Sequence, residues 1–159
     1  MSDKKGLLPE VTDIDVFDVY LGCLSSQNCI DELLLKLKEE NPSVARYIES
    51  HANHTNDADV KYSGISVYEM LKKAGPLPQV SEDVSFVVKE EVGQSQGPDY
   101  FIQVLERMIE DNPSLANFLF THANTCANPS RVIASGSVVY RLLESQAEAD
   151  ALSARFPLN

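Results

Sequence analysis

The side chains best suited to chemistry in this chain are two histidines that recur in the same short word, His51-Ala52-Asn53 and His122-Ala123-Asn124. Imidazole titrates near neutral pH, so two of them at matching places could converge on a metal ion or serve a ligand as general base. His54, Asp57 and Asp59 follow His51 and offer nitrogen and oxygen donors, whereas His122 is followed by Cys126, Asn128 and Pro129, a different and poorer set. Zinc needs three or four geometrically matched ligands, and polar loop composition explains both groups equally well. The sequence therefore predicts neither a metal nor any other cofactor.

Spacing supplies a structural role for the same histidines. His51 lies at i+7 from Val44 and i+3 from Ile48, and His122 stands in the same relation to Leu115 and Leu119. Both thus belong to an apolar helix face, at a last turn where imidazole can bond a free carbonyl and meet the negative end of the helix dipole. His51, His122, Asn53 and Asn124 are nonetheless the candidates if a cleft between equivalent segments holds a small ligand. Other catalytic signatures are missing: there is no Gly-rich phosphate loop, no Gly-x-Ser-x-Gly elbow, no Cys-x-x-Cys and no His-Glu-x-x-His. Cys23 and Cys29 have no basic neighbour to activate them. Asp13, Asp15 and Asp18 spread around a helix as a solvated face.

The elements that must position these residues come in duplicate. Glu40 to Asn53 aligns with Asp111 to Asn124 at a separation of 71, the distance from Asn41 to Asn112, with seven of fourteen pairs identical. Upstream, Leu8-Pro9 and Phe17 recur as Leu77-Pro78 and Phe86; downstream, Ser63-Gly64 and Val67-Tyr68 recur as Ser135-Gly136 and Val139-Tyr140. Tandem duplication of a unit of roughly 70 residues is the economical explanation. The expected boundaries are 7–74 for the first unit and 75–159 for the second, which carries an extended C-terminal helix.

Within each unit the apolar period is helical. Ile30, Leu33, Leu34 and Leu37, and their counterparts Phe101, Val104, Leu105 and Met108, sit at i, i+3, i+4, i+7. Asn28 and Asp99 are expected N-caps of that helix. Asn41-Pro42 and Asn112-Pro113 start the next, with asparagine as cap and proline at the first helical position. Asn53 and Asn124 are expected at its left-handed end. A loop should then run to about Gly64 or Gly136, before a helix opened by Ser66 and Glu69 as a capping box. The entry segments 12–21 and 81–92 place Ile14, Phe17, Leu21 and Val84, Val87, Val88 at helical spacing, although β-branched content leaves a strand open. The expected fold is all-α, a pseudo-two-fold helical bundle with about four helices per unit.

Composition limits the function. In 159 residues there are 24 acidic and 13 basic side chains, a net charge of −11, and both units share the excess. Such a surface repels nucleic-acid phosphates and favours a protein partner with a basic surface. No apolar run approaches the roughly 20 residues of a membrane span, and Ser2-Asp3-Lys4-Lys5 leads into no apolar signal segment. Three sparse cysteines suit reduced thiols in a cytoplasm. Where the copies differ, apolar residues replace polar ones: Phe120 for Glu49, Ile109 for Lys38 and Val138 for Ser66, with Leu35 replaced by Glu106 in the opposite sense. Phe120, Ile109, Leu35 and Val138 are thus candidates for an inter-repeat or partner interface. The function expected is a small acidic, non-enzymatic interaction module, an adaptor, inhibitor or assembly factor of phage or bacterial type. Two alternatives stand beside it: a ligand-binding protein or enzyme using a cleft near His51 and His122, and an acidic mimic of nucleic acid that blocks a basic protein site.

Overall fold

A computed structural model describes residues 8–23, 27–94 and 99–155. Among these, regular structure is entirely helical: α1 (Asp13–Cys23), α2 (Gln27–Glu40), α3 (Pro42–Thr55), α4 (Ala58–Ala74), α5 (Glu82–Gln94), α6 (Asp99–Asp111), α7 (Pro113–Asn124) and α8 (Pro129–Arg155). Both entry segments are helices despite their β-branched content. The side chains of Asn28 and Asp99, expected as caps, lie outside the described residues.

The fourth helix of each set is the hub. α1, α2 and α3 pack on α4, α5 to α7 pack on α8, and α4 packs most extensively on α8, a pattern consistent with a duplicated unit of four helices. The predicted i, i+3, i+4, i+7 faces of α2 and α6 point into this core. At the α4–α8 crossing the Ser63 hydroxyl donates to the Val132 carbonyl at 2.8 Å, and the Ser135 hydroxyl donates to the Val60 carbonyl at 2.8 Å. Close approach requires glycine beside each serine. A Cβ on Gly64 would stand 2.9 Å from Ile48 Cγ1, and one on Gly136 would stand 2.7 Å from Leu119 Cδ1.

That crossing corrects the loop expectation. The connections end at Ala58 and Pro129, so Ser63-Gly64 and Ser135-Gly136 lie inside helices. Asp57 caps α4 by accepting the Asp59 amide, whereas Ser66 is an interior residue whose hydroxyl donates back to the Tyr62 carbonyl at 2.6 Å. Small residues here serve helix packing, not chain reversal. Similarly, Asn53 remains within α3 and the left-handed residue is Asn56, at φ 52°. α7 ends through a right-handed Thr125.

Asn41 and Asn112 occupy the N-cap positions, but their side chains do not cap. Each is buried and reaches across the molecule to an entry segment. Asn41 Oδ1 accepts the Val80 amide at 2.7 Å, while Nδ2 donates to the Pro78 carbonyl at 2.9 Å and to Tyr68 Oη at 3.2 Å. Asn112 Oδ1 accepts the Val11 amide, and Nδ2 donates to Tyr140 Oη at 3.4 Å. Each repeat thereby ties down the start of the other.

The Val11 tie also sets the phase of α1. Thr12 and Asp15 exchange backbone-to-side-chain bonds at its first turn, and from there Val16 and Val19 turn towards the core. Ile14, Phe17 and Leu21, the face that spacing picks out, point outward.

Candidate functional site

The N-terminus of α4 and the C-terminus of α7 meet at the seam between the repeats. Asp57 orders the first turn of α4 by accepting the Asp59 amide at 3.0 Å. Beyond α7 the chain turns tightly: the Thr125 amide donates to the His122 carbonyl at 3.0 Å and the Cys126 amide to Ala123 at 3.1 Å. The same His122 carbonyl accepts the Thr125 hydroxyl at 2.7 Å and the Cys126 thiol at 3.3 Å. This returns Cys126 Sγ to 3.6 Å from His122 Nε2. One donor atom from each of Asp59, His122 and Cys126 then lies within 4.8 Å of the other two.

Aromatic walls hold the imidazole. The Tyr62 ring lies 4.5 Å from it centre to centre, and Phe118 stacks over it at 5.8 Å with 18° between planes. Burial lowers the His122 pKa from its ordinary 6.5 against the opposing pull of Asp59. Burial also raises the Cys126 thiol, and the Asp59 carboxylate raises it further. Tyr62 is pushed up to about 12, mainly by burial. At neutral pH the pair is thus imidazole and thiol, not imidazolium and thiolate.

Those protonation states count against a nucleophilic cysteine, which needs a depressed pKa or an adjacent base oriented by a third group. A relay would place the carboxylate on the far imidazole nitrogen. Here His122 Nδ1 is buried and has no hydrogen-bond partner, and Asp59 converges with the thiol instead. Convergence suits a metal ion. With zinc bonds of about 2.3 Å to sulfur and about 2.0–2.1 Å to nitrogen at a tetrahedral angle, the two ligand atoms would stand roughly 3.6 Å apart, which matches the Cys126–His122 separation.

The duplicate provides an internal comparison. His51 occupies the place of His122, and Thr55, whose hydroxyl donates to the His51 carbonyl at 2.9 Å, occupies that of Cys126. Arg131 occupies the place of Asp59, each immediately preceding a buried valine, Val60 or Val132. Burial lowers the His51 pKa, neighbouring His54 and Arg131 lower it further, and Asp57 opposes them. Tyr47 Oη lies 3.1 Å from His51 Nδ1, whereas Phe118, in the matching place, leaves His122 Nδ1 unpaired. A donor set is present at one site; at the other a hydroxyl and a guanidinium replace the thiol and the carboxylate.

Asp59 and Cys126 are the residues that sequence reasoning placed in separate sets. Asp59 is a sequence neighbour of His51 and His54, yet the fold pairs it with the histidine of the other repeat. The charge reversal between Asp59 and Arg131 at aligned positions is the sequence signal that marks the asymmetry. Asn53, Asn124 and His54 are exposed and belong to neither the donor group nor its aromatic walls.

The four interface candidates are dispersed. Val138 is buried in α8, Phe120 is half-buried against the core, and Ile109 and Leu35 are exposed. Lys38 and Glu49 form an ion pair at 2.7 Å, and Ile109 and Phe120 stand at the corresponding positions, so both differences belong to one pair of sites. No described helix is long and apolar enough to cross a membrane. No protein-family model, curated protein or solved structure matches this chain.

Proposed function

We propose that the protein binds a transition-metal ion, zinc by its donor set, at the seam between its repeats. Asp59, His122 and Cys126 are the ligands, and a fourth position is left to water or a small ligand. The observation that carries this reading is convergence: a carboxylate from α4 meets an imidazole and a thiol from the end of α7 within 4.8 Å. The counterpart at His51, Thr55 and Arg131 lacks two of the three donors, so the donor set belongs to this site and not to the repeated architecture. Imidazole, thiolate and carboxylate together are an ordinary zinc donor set, and three protein ligands with one open position is the arrangement of catalytic and exchangeable zinc. Binding replaces the Cys126 thiol proton with the metal and releases that proton to solvent, while the neutral imidazole is already in its ligating form.

Cobalt(II) titration of metal-free, reduced protein tests the reading. One equivalent should bind, with a thiolate-to-cobalt charge-transfer band and the ligand-field bands of tetrahedral cobalt, and zinc should displace it. Cys126→Ser should abolish the charge-transfer band, and Asp59→Asn and His122→Ala should weaken binding by tenfold or more. His51→Ala should leave all of this unchanged. Absence of stoichiometric binding, or a spectrum insensitive to Cys126→Ser, would overturn the proposal.

A further inference from the structure

α1 carries an outward apolar stripe for which the core has no use. Ile14, Phe17 and Leu21 are 71%, 61% and 57% exposed, and their i, i+3, i+7 spacing puts them in one row about 10 Å long. At 100° per residue, Asp18 flanks one side of this row, and Asp13 and the exposed Tyr20 flank the other. α1 contains no lysine or arginine. The stripe therefore has carboxylates along both margins.

The second repeat again shows what is particular. Phe86, the counterpart of Phe17, is 63% exposed, but Asp83 and Glu90 replace Ile14 and Leu21. The aromatic residue recurs without the row, so the row is a property of α1 and not of the repeated architecture.

We propose that the α1 stripe docks a basic amphipathic helix of a partner protein, whose apolar row seats on Ile14, Phe17 and Leu21 and whose flanking lysines or arginines meet Asp13 and Asp18. Charge selects this occupant. A second copy of the chain would bring its own aspartates against these, at a net charge of −11 per molecule, and an anionic bilayer would repel them as well. A helix with cationic margins satisfies both features at once, as amphipathic targets do in other helix-recognition surfaces. Affinity resides in the apolar row, while the aspartates set orientation and on-rate. The proposal is independent of the metal site.

Fluorescence anisotropy with the intact protein tests it. The probe is a labelled Leu/Lys peptide of about 18 residues, five helical turns, with leucines at helical period; its control is a scrambled peptide of the same composition. The periodic peptide should bind at least tenfold more tightly than the scramble. Phe17→Ala and Leu21→Ala should each weaken it by about tenfold, Asp18→Lys should weaken it and flatten its salt dependence, and Phe86→Ala should change nothing. The mutated side chains are exposed, so unchanged circular dichroism should accompany each loss. Equal binding of the two peptides, or indifference to Phe17→Ala, would overturn the proposal. So would sedimentation showing dimers dissolved by Phe17→Ala, or co-sedimentation with lipid vesicles that Phe17→Ala abolishes.

Discussion

Asn41 holds Val80. Its side-chain carbonyl accepts the buried Val80 amide at 2.7 Å while its amide group donates to Pro78 and Tyr68, and Asn112 does the same kind of work on Val11 and Tyr140. Asn41→Ala should cost about 2–3 kcal/mol, since it strands a buried N–H and removes several bonds at once. Asn41→Asp separates this role from capping: aspartate is as good an N-cap, but it cannot donate to Pro78 and would bury a charge. Urea unfolding should show Asn41→Asp to be nearly as damaging as Asn41→Ala; near-wild-type stability of the aspartate variant would restore the capping role.

Glycine at the hub should behave contrary to helix propensity. Alanine normally gains about 1 kcal/mol over glycine inside a helix, yet a Cβ at Gly136 would meet two Leu119 methyls at 2.7 and 3.0 Å, and one at Gly64 would meet Ile48 and Ser135 at 2.9 and 3.0 Å. Gly136→Ala and Gly64→Ala should therefore destabilise by about 1–3 kcal/mol through overpacking. Gly93, in α5 with nothing within 4 Å of its added Cβ, is the control, and its alanine variant should gain up to about 1 kcal/mol. Thermal melts of the three variants check the order.

The helices were legible because one-sided burial imposes its period on the sequence. Ile30, Leu33, Leu34 and Leu37 are all buried, as their spacing requires. What was not legible depends on partners distant in the chain. Nothing local distinguishes an asparagine that caps α3 from one that binds Val80, and Ser63-Gly64 looks like a turn until α8 is laid across it. Ile14, Phe17 and Leu21 show the limit of periodicity: it reveals that an apolar face exists, but not whether this chain covers it. The donor group was hidden for the same reason, since Asp59 and His122 come together only when α4 and α7 meet.

Acid should weaken the metal-free fold before its carboxylates titrate. Burial holds both His51 and His122 below 6.5, so as pH falls through that value the unfolded chain takes up protons that the folded chain refuses. Their contribution is intact above about 6.5 and is lost as pH falls towards the depressed folded values. Glu69, raised from 4.5 by burial, works in the opposite sense: it favours the fold at the acid end and ceases to do so as pH rises through its folded value. Melting temperature should fall between about pH 7 and pH 5, and less steeply in a His51→Gln, His122→Gln double variant. Parallel curves for the double variant and the wild type would defeat the assignment.

Phe118→Tyr is the most informative single change at the seam. Tyr47 Oη lies 3.1 Å from His51 Nδ1, with rings 5.6 Å apart, and Phe118 and His122 repeat that pairing at 5.8 Å without the hydroxyl. A tyrosine at 118 should supply the missing partner for the buried Nδ1. Without metal this should stabilise the fold by about 0.5–1.5 kcal/mol, the ordinary net value of a hydrogen bond. With metal the gain should be larger, because a ligating histidine whose other N–H is bound is fixed in tautomer and orientation, and such outer contacts change affinity by about 10–100-fold. The new hydroxyl would accept Nδ1–H and leave the Nε2 lone pair facing the ion beside Cys126. Zinc titrations should therefore show Phe118→Tyr binding at least tenfold more tightly, while Tyr47→Phe lowers stability by a similar increment and leaves zinc affinity unchanged. A Phe118→Tyr protein that melts lower and binds zinc no better would show that a hydroxyl at 118 does not reach Nδ1, and would overturn the role assigned to that unpaired nitrogen.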